Sequence, residues 1–275
     1  MNILEPDNSA ASAAEESVRD FYDSYGWSTD GEHSRDASLW EDTRDCAQSY
    51  ISACRLRVCN YLPKEGEILV DAGSGPLQYP EYLAYSTGFS KRVCIDVSRR
   101  ALILAEEKLG TRGEYIECSI LELPLPTNYA DASISMHTIY HIEASAQEAA
   151  VRQLLRVTKP RMPLLVVYAN PNRLSSRIAH VVRRLTALAT TERGRHATTE
   201  IYYHAHPLSW WSRFSDVAEI KIATWRTLTA RMSRVAVPDN ALGSASLRGL
   251  FWLEETFPRA MLPFAAYPLI VLRKR

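Results

Sequence analysis

Two rhythms of apolar and polar positions run along this chain. Between residues 67 and 170, short continuous apolar runs recur, and stretches of helical spacing separate most of them. The runs "EILVDAG" (67–73), "KRVCIDVS" (91–98), "GEYIECSI" (113–120), "DASISMH" (131–137) and "MPLLVVYAN" (162–170) predict five β-strands. Strands this apolar are buried on both faces, so the alternation predicts a parallel sheet between layers of helices. "SRRALILAEEKLG" predicts a helix with Ser98 as its cap and Gly110 as its stop. "SAQEAAVRQLLRVTKP" predicts another, opened by a capping box from Ser145 to Glu148 and stopped by Pro160.

Outside this block the rhythm changes. Residues 1 to about 10 read as a loose tail. Two helices follow: one with a box from Ser12 to Glu15 that stops near Gly26, and one with a box from Ser38 to Glu41 that ends before Pro63. From 171 to 206 the strand–helix alternation breaks. Asn170 and Pro171 open a helix whose stripe runs through Leu174, Ile178, Val181, Val182, Leu185 and Leu188. Strand patterns resume at 217–225 and close the chain at 266–275, with a helical insertion around 244–257. The chain therefore divides into an N-terminal helical segment (1–62), an α/β core (63–170), a helical insertion (171–206) and a segment completing the sheet (207–275).

The candidate chemistry lies where the first strand ends. "DAGSG" places Gly73 and Gly75 after Asp71, and ligands of open parallel sheets sit beyond the carboxyl ends of strands. Glycine there allows unusual backbone angles and leaves room for a ligand to approach the main chain. Asp71 can accept a hydrogen bond from a cationic group. Asp96 ends the second strand, where an acidic side chain can grip two ribose hydroxyls. A dinucleotide fingerprint would need a third glycine, but Gln78 stands there and Pro76 follows the second glycine. A cofactor without a pyrophosphate fits better than NAD.

Composition narrows the classes further. The 275 residues are 46% hydrophobic and 23% charged, enough to bury a sizeable core. Lys plus Arg and Asp plus Glu both number 32, and this balance argues against a dedicated nucleic-acid binder. No signal peptide and no apolar run near the ~20 residues of a membrane span is evident, so a cytoplasmic protein is expected. Cys46, Cys54, Cys59, Cys94 and Cys118 form no metal-ligand spacing and read as buried free thiols. No metal is expected, and no oligomeric state is assigned.

"ILVDAGSGP", "VCIDVS", "ECSILELPLPTNYADASISMHTIYHI" and "LLRVTKPRMPLLVV" follow one another over residues 67–167. In order and spacing they resemble the class I S-adenosylmethionine-dependent methyltransferases, of the type 11/25 kind. The resemblance implies a Rossmann-like, doubly wound sheet of seven strands with the last antiparallel. It also implies S-adenosyl-L-methionine as cofactor, with S-adenosyl-L-homocysteine as product. Asp71, Gly73 and Gly75, with Ala72 and Ser74, would surround its methionine part. Asp96 would bind the ribose, Val97 would pack on the adenine, and Ser119 and Ile120 would lie beside it. His137 would follow the fourth strand near the methyl group. Many relatives carry an aspartate where this chain has Ser119, so a carboxylate contact to the adenine amine is not expected there. "KPRMP" replaces a Lys-Pro-Gly-Gly turn and affects only a connection. In such proteins the N-terminal segment often folds over the cofactor, so Tyr22, Tyr25 and Trp27 are candidates to close the site.

Methyl transfer from a sulfonium needs alignment and, for many acceptors, a base. Histidine suits that role because it titrates near neutral pH. His137, His204 and His206 are the candidates, while His141 reads as structural. Tyr140, Tyr203, His204 and Trp210 are candidate acceptor contacts, although "YYHAHPLSWW" would serve a packed core equally well. The insertion carries Arg173, Arg177, Arg183, Arg184, Arg193 and Arg195 with only Glu192 and Glu200 as acids. Three readings stay open: a solvated helix edge, recognition of an anionic acceptor by Arg173 and Arg177, or contact with an acidic membrane surface. The expected activity is methylation of a hydroxyl on a small sugar or natural-product-like molecule. N-methylation and cofactor binding without catalysis are the alternatives.

Overall fold

The protein is described by a computed structural model covering residues 8–30, 33–174 and 201–275. All seven predicted strands are present: β1 (Gly66–Ala72), β2 (Phe89–Asp96), β3 (Gly113–Glu117), β4 (Ala132–Met136), β5 (Pro163–Val167), β6 (Ala218–Arg226) and β7 (Tyr267–Lys274). They form one sheet in the order β3-β2-β1-β4-β5-β7-β6. The first five strands are parallel, and β7 inserts antiparallel between β5 and β6. This is the Rossmann-like arrangement with an antiparallel last strand that the resemblance implied. The chain steps outward from β1 through β2 to β3, then crosses back to place β4 on the other side of β1. The connections after β1 and β4 diverge, which leaves a crevice at their carboxyl ends.

Alternation along each strand fills both faces. Val70, Ala72, Val93, Ile95, Leu164, Val166, Ile270 and Leu272 pack on one side, against Val151, Leu154 and Leu155 of a helix and against Trp211 and Phe214. Leu69, Ala132, Ile134, Leu165, Val167, Leu269 and Val271 pack on the other, against Val58, Tyr85 and Trp225. The period of two explains why each run is apolar throughout.

Among the described residues the α-helices of five or more residues are α1 (Asn8–Phe21), α2 (Arg35–Trp40), α3 (Asp45–Leu56), α4 (Pro80–Ala84), α5 (Arg99–Leu109), α6 (Gln147–Val157), α7 (Ala230–Ala236) and α8 (Ala241–Thr256). α5 begins and ends as expected: the Ser98 hydroxyl accepts from the Ala101 amide at 3.1 Å, and Gly110 stops it at φ 53°. Three capping expectations are corrected. α1 starts at Asn8, so Ser12 and Glu15 lie inside it, and Glu15 instead accepts from the Ser119 hydroxyl. The helix expected from 38 to 62 is two helices, and Ser34, not Ser38, caps the first. At the break the Asp42 carboxylate is buried between them and accepts from Arg44 and Ser233. α6 has no side-chain cap, because Ser145 turns to Glu143.

Of the insertion, residues 171–174 and 201–206 are described. Ile178, Val181, Val182, Leu185 and Leu188 of its expected stripe lie outside the described residues, as do Arg177 and its neighbouring arginines.

One buried ion pair holds the centre. Asp71 on β1 accepts from the guanidinium of Arg92 on β2, with the Nε bond at 3.0 Å, and Arg92 also donates to the Tyr82 carbonyl of α4. Both side chains are about 2% exposed. Removing one partner leaves the other charge buried and unpaired, which costs ~3–5 kcal/mol. Arg92→Met should therefore lower stability to urea by about that much. Asp71→Asn/Arg92→Met should cost less than the sum of the two single variants, and additive losses in the same melts would contradict the coupling.

Candidate active site

Two glycines with left-handed backbone shape the turn after β1, Gly73 at φ 71° and Gly75 at φ 56°. The amides of Gly73 and Ser74 donate to the Ile95 carbonyl at 2.7 and 3.1 Å, which folds the turn against the end of β2. The bare side of Gly73 is already filled, since a Cβ there would lie 2.2 Å from the Thr138 hydroxyl. At Gly75 a Cβ would meet the Trp27 ring at 3.4 Å, an ordinary contact. Backbone angle therefore favours glycine at 75, and the close approach of Thr138 adds to it at Gly73. Of the two jobs expected of these glycines, the unusual backbone angle is present at both.

Asp96 accepts from the Gly75 amide at 2.8 Å and the Ser98 amide at 2.9 Å. Burial pushes its carboxyl up to about 6, against the pull of those two amides. A carboxylate offers about four lone-pair sites, so the side chain keeps acceptor capacity for a diol. Asp71 differs. Its cationic partner is the protein's own Arg92, and only Oδ1 has no partner.

These residues open onto one cavity of about 530 Å³, within the usual range for small-molecule sites. Val97, Cys118, Ile120 and Leu121 line it together with Ala11, Glu15 and Val18 of α1. Gly73 to Gln78 form part of the wall, as do Tyr22 and Trp27, which stack on each other at 4.6 Å. Asp36, Tyr79, Tyr82, His137, Tyr140, Tyr203, Arg226 and Tyr267 line it as well. Arg173 also lines it, at the first turn of the insertion.

His137 sits at φ 62°, just past β4. Its Nδ1 lies 2.9 Å from the Tyr140 hydroxyl, and its Nε2 is buried without a partner. Burial, with Arg226 nearby, holds the imidazole well below its usual pKa and hence neutral near pH 7. His141 also lines the cavity, but its Nδ1 is held at 2.7 Å from the Tyr202 carbonyl and burial takes it to about 4.

Several expected residues are not on the cavity wall. Ala72 is buried inside the sheet, Ser119 is tied to Glu15, and Tyr25 packs under the Arg35 guanidinium at 4.7 Å. His204, His206 and Trp210 are not there either. His206 stacks on Trp210 at 4.6 Å and His204 meets His206 at 4.7 Å, while the His204 amide donates to the Tyr140 carbonyl. They form an aromatic wedge off the cavity wall, with Trp210 buried and His204 exposed, so neither histidine faces the cavity. Conversely, Asp36, Tyr79, Tyr82, Arg226 and Tyr267 were not expected. The tyrosines at 79, 82 and 85 carried a helical spacing, but Asp36 and Arg226 had no local signal.

Asp96, the unpartnered Asp71 Oδ1 and the unpartnered Trp27 Nε1 and His137 Nε2 suit a ligand with a ribose and polar groups along its length. Residues 70–166 match the family model described as "Methyltransferase domain". This stretch is a methyltransferase domain, and the chain is a methyltransferase with the class I fold.

Solved structures agree on the fold. A geranyl diphosphate C-methyltransferase from Streptomyces coelicolor A3(2), in complex with Mg²⁺, geranyl diphosphate and S-adenosyl-L-homocysteine, is 14% identical. The match covers 99% of both chains with a TM-score of 0.56. A possible histamine N-methyltransferase from Thermotoga maritima is 13% identical over 83% of this chain and 91% of its own, with a TM-score of 0.53. An S-adenosylmethionine-dependent methyltransferase from Archaeoglobus fulgidus is 15% identical over 83% and 94%, with a TM-score of 0.52. No curated protein sequence matches the chain. The cofactor of this methyltransferase is S-adenosyl-L-methionine.

The raised Asp96 gives a pH signature. A carboxyl titrating higher in the folded state than in the unfolded chain adds stability at low pH and loses it as pH rises through its folded value. In the ligand-free protein, the stability advantage of wild type over Asp96→Asn should therefore shrink as pH rises from about 4.5 to 6.5 and then level off. Urea melts at several pH values measure it, and a widening gap would contradict the burial argument.

Proposed function

We propose that this methyltransferase acts on a hydroxyl of a small molecule with an apolar, ring-containing body. The observation that carries the reading is the neutral His137 imidazole, which lines the same cavity as the glycine turn and has Nε2 unpartnered. Asp96 would hold the ribose hydroxyls, and Val97 and Ile120 would flank the adenine. The cofactor supplies an electrophilic methyl group on a sulfonium, which departs as a neutral thioether. His137 Nε2 would take the proton of the acceptor hydroxyl as its oxygen forms the new bond to carbon. For that, the Nδ1 nitrogen must carry the ring proton and donate to Tyr140.

The walls support this reading of the acceptor. Tyr79, Tyr82, Tyr203 and Tyr267 offer ring faces, while Arg173 favours a polar or anionic substituent. Residues 1–62 act as a lid in this scheme, with Tyr22, Trp27 and Trp40 on the cavity wall, and 171–206 act as the acceptor cap. No helix among the described residues is long and apolar enough to cross a membrane, and the five free cysteines suit a reducing, cytoplasmic setting.

Incubation with the cofactor carrying a labelled methyl group, and with fractionated metabolites, should label a small molecule, and mass spectrometry should place the label on oxygen. Label on nitrogen would replace this reading with N-methylation. A general base contributes about 10²- to 10⁴-fold, so His137→Gln should lower kcat by that order and leave affinity for S-adenosyl-L-homocysteine unchanged. Full activity of the variant near pH 7.5 would remove His137 from the base role.

A further inference from the structure

Five carboxylates line the cavity: Glu15, Asp36, Glu41, Asp71 and Asp96. Four are accounted for by the protein itself or by their place. Asp71 is neutralised by Arg92, and Glu41 pairs with Arg226 at 2.7 Å and Arg55 at 3.6 Å. Glu15 accepts from Ser119, and Asp96 takes two backbone amides at the end of β2. Asp36 is different. Its contacts are the Gln78 amide at 3.3 Å and the Tyr22 hydroxyl, both neutral groups. Among the described residues no lysine or arginine pairs with it.

Its location is set by the glycine turn. Gln78 lies three residues beyond Gly75, and its side-chain amide is gripped at both ends by α2. The Ser34 hydroxyl donates to Gln78 Oε1 at 2.7 Å, and Gln78 Nε2 donates to Asp36. The clamp fixes the start of α2 over the turn and turns the Asp36 carboxylate into the cavity. Asp36 and Gln78 line the same cavity as Gly73 and Gly75.

The cofactor's amino-acid part brings an ammonium group into this partly dehydrated space, where an unpaired charge is costly. Asp71, directly before the turn, has already given its charge to Arg92. We infer that Asp36 is the carboxylate that receives the ammonium of the cofactor's methionine part. Burial raises the Asp36 carboxyl to about 6 in the ligand-free protein, the state expected of an acid lacking its cation. The inference rests on the cofactor reading of the cavity and adds one residue to it.

Isothermal calorimetry with two ligands tests it. S-adenosyl-L-homocysteine carries the amino acid, whereas 5′-methylthioadenosine keeps the adenosine and sulfur without it. Asp36→Asn should weaken S-adenosyl-L-homocysteine at least about 10-fold, because a charge-assisted bond is lost, and change 5′-methylthioadenosine binding less than about twofold. Unchanged affinity for S-adenosyl-L-homocysteine would overturn the inference. Equal weakening of both ligands would also overturn it, since that pattern marks a structural role in holding Gln78. Wild-type protein that binds neither ligand would instead defeat the cofactor reading itself.

Discussion

The arrangement of this methyltransferase's site depends on the ion pair between Asp71 and Arg92. It spans β1 and β2 at the centre of the sheet and reaches α4 through the Tyr82 carbonyl. A buried pair is weak evidence for net stability, because desolvation offsets most of the attraction. Its value here is positional. Asp71 lies immediately before the glycine turn, so the strand end, the neighbouring strand and the following helix are held in one register. With that register set, the Gly73 and Ser74 amides reach Ile95 and the Gly75 amide reaches Asp96.

The same pair alters the chemistry around the turn. An acid before the glycines is free to meet a ligand cation only if the protein leaves it unpaired. Here the protein supplies the cation, and the demand for negative charge passes to the segment covering the turn. α2 meets that demand geometrically, since Ser34 and Asp36 both hold Gln78. The N-terminal segment thus contributes polar groups as well as the Tyr22–Trp27 stack to the cavity wall.

Around His137 the cavity wall is aromatic and supported from behind. The wedge of His204, His206 and Trp210 packs against the backbone of Tyr140, whose hydroxyl lies 2.9 Å from His137. An imidazole buried among Trp225 and Tyr267 stays neutral because ionising it there would cost desolvation. Residues with the chemistry of a base are thereby used as scaffolding, and the one with an unpartnered nitrogen faces the cavity.

Much of the fold was legible in the sequence. All seven strands were readable because a strand buried on both faces must be apolar throughout, and that signal is local. Ser98 and Gly110 were readable for the same reason, since a cap depends on neighbours within four residues. Asp96 and the glycine turn could be placed because strand ends carry ligands in this architecture. What the sequence could not show were partnerships across long separations. Asp42, at the break between two helices, accepts from Ser233, 191 residues away. Glu15 leaves its expected cap for Ser119, 104 residues on. Asp36 and Arg226 enter the cavity wall from segments whose local pattern is that of ordinary surface helix and edge strand. Periodicity reports which face of an element is buried, whereas only the packed structure decides which charges meet there.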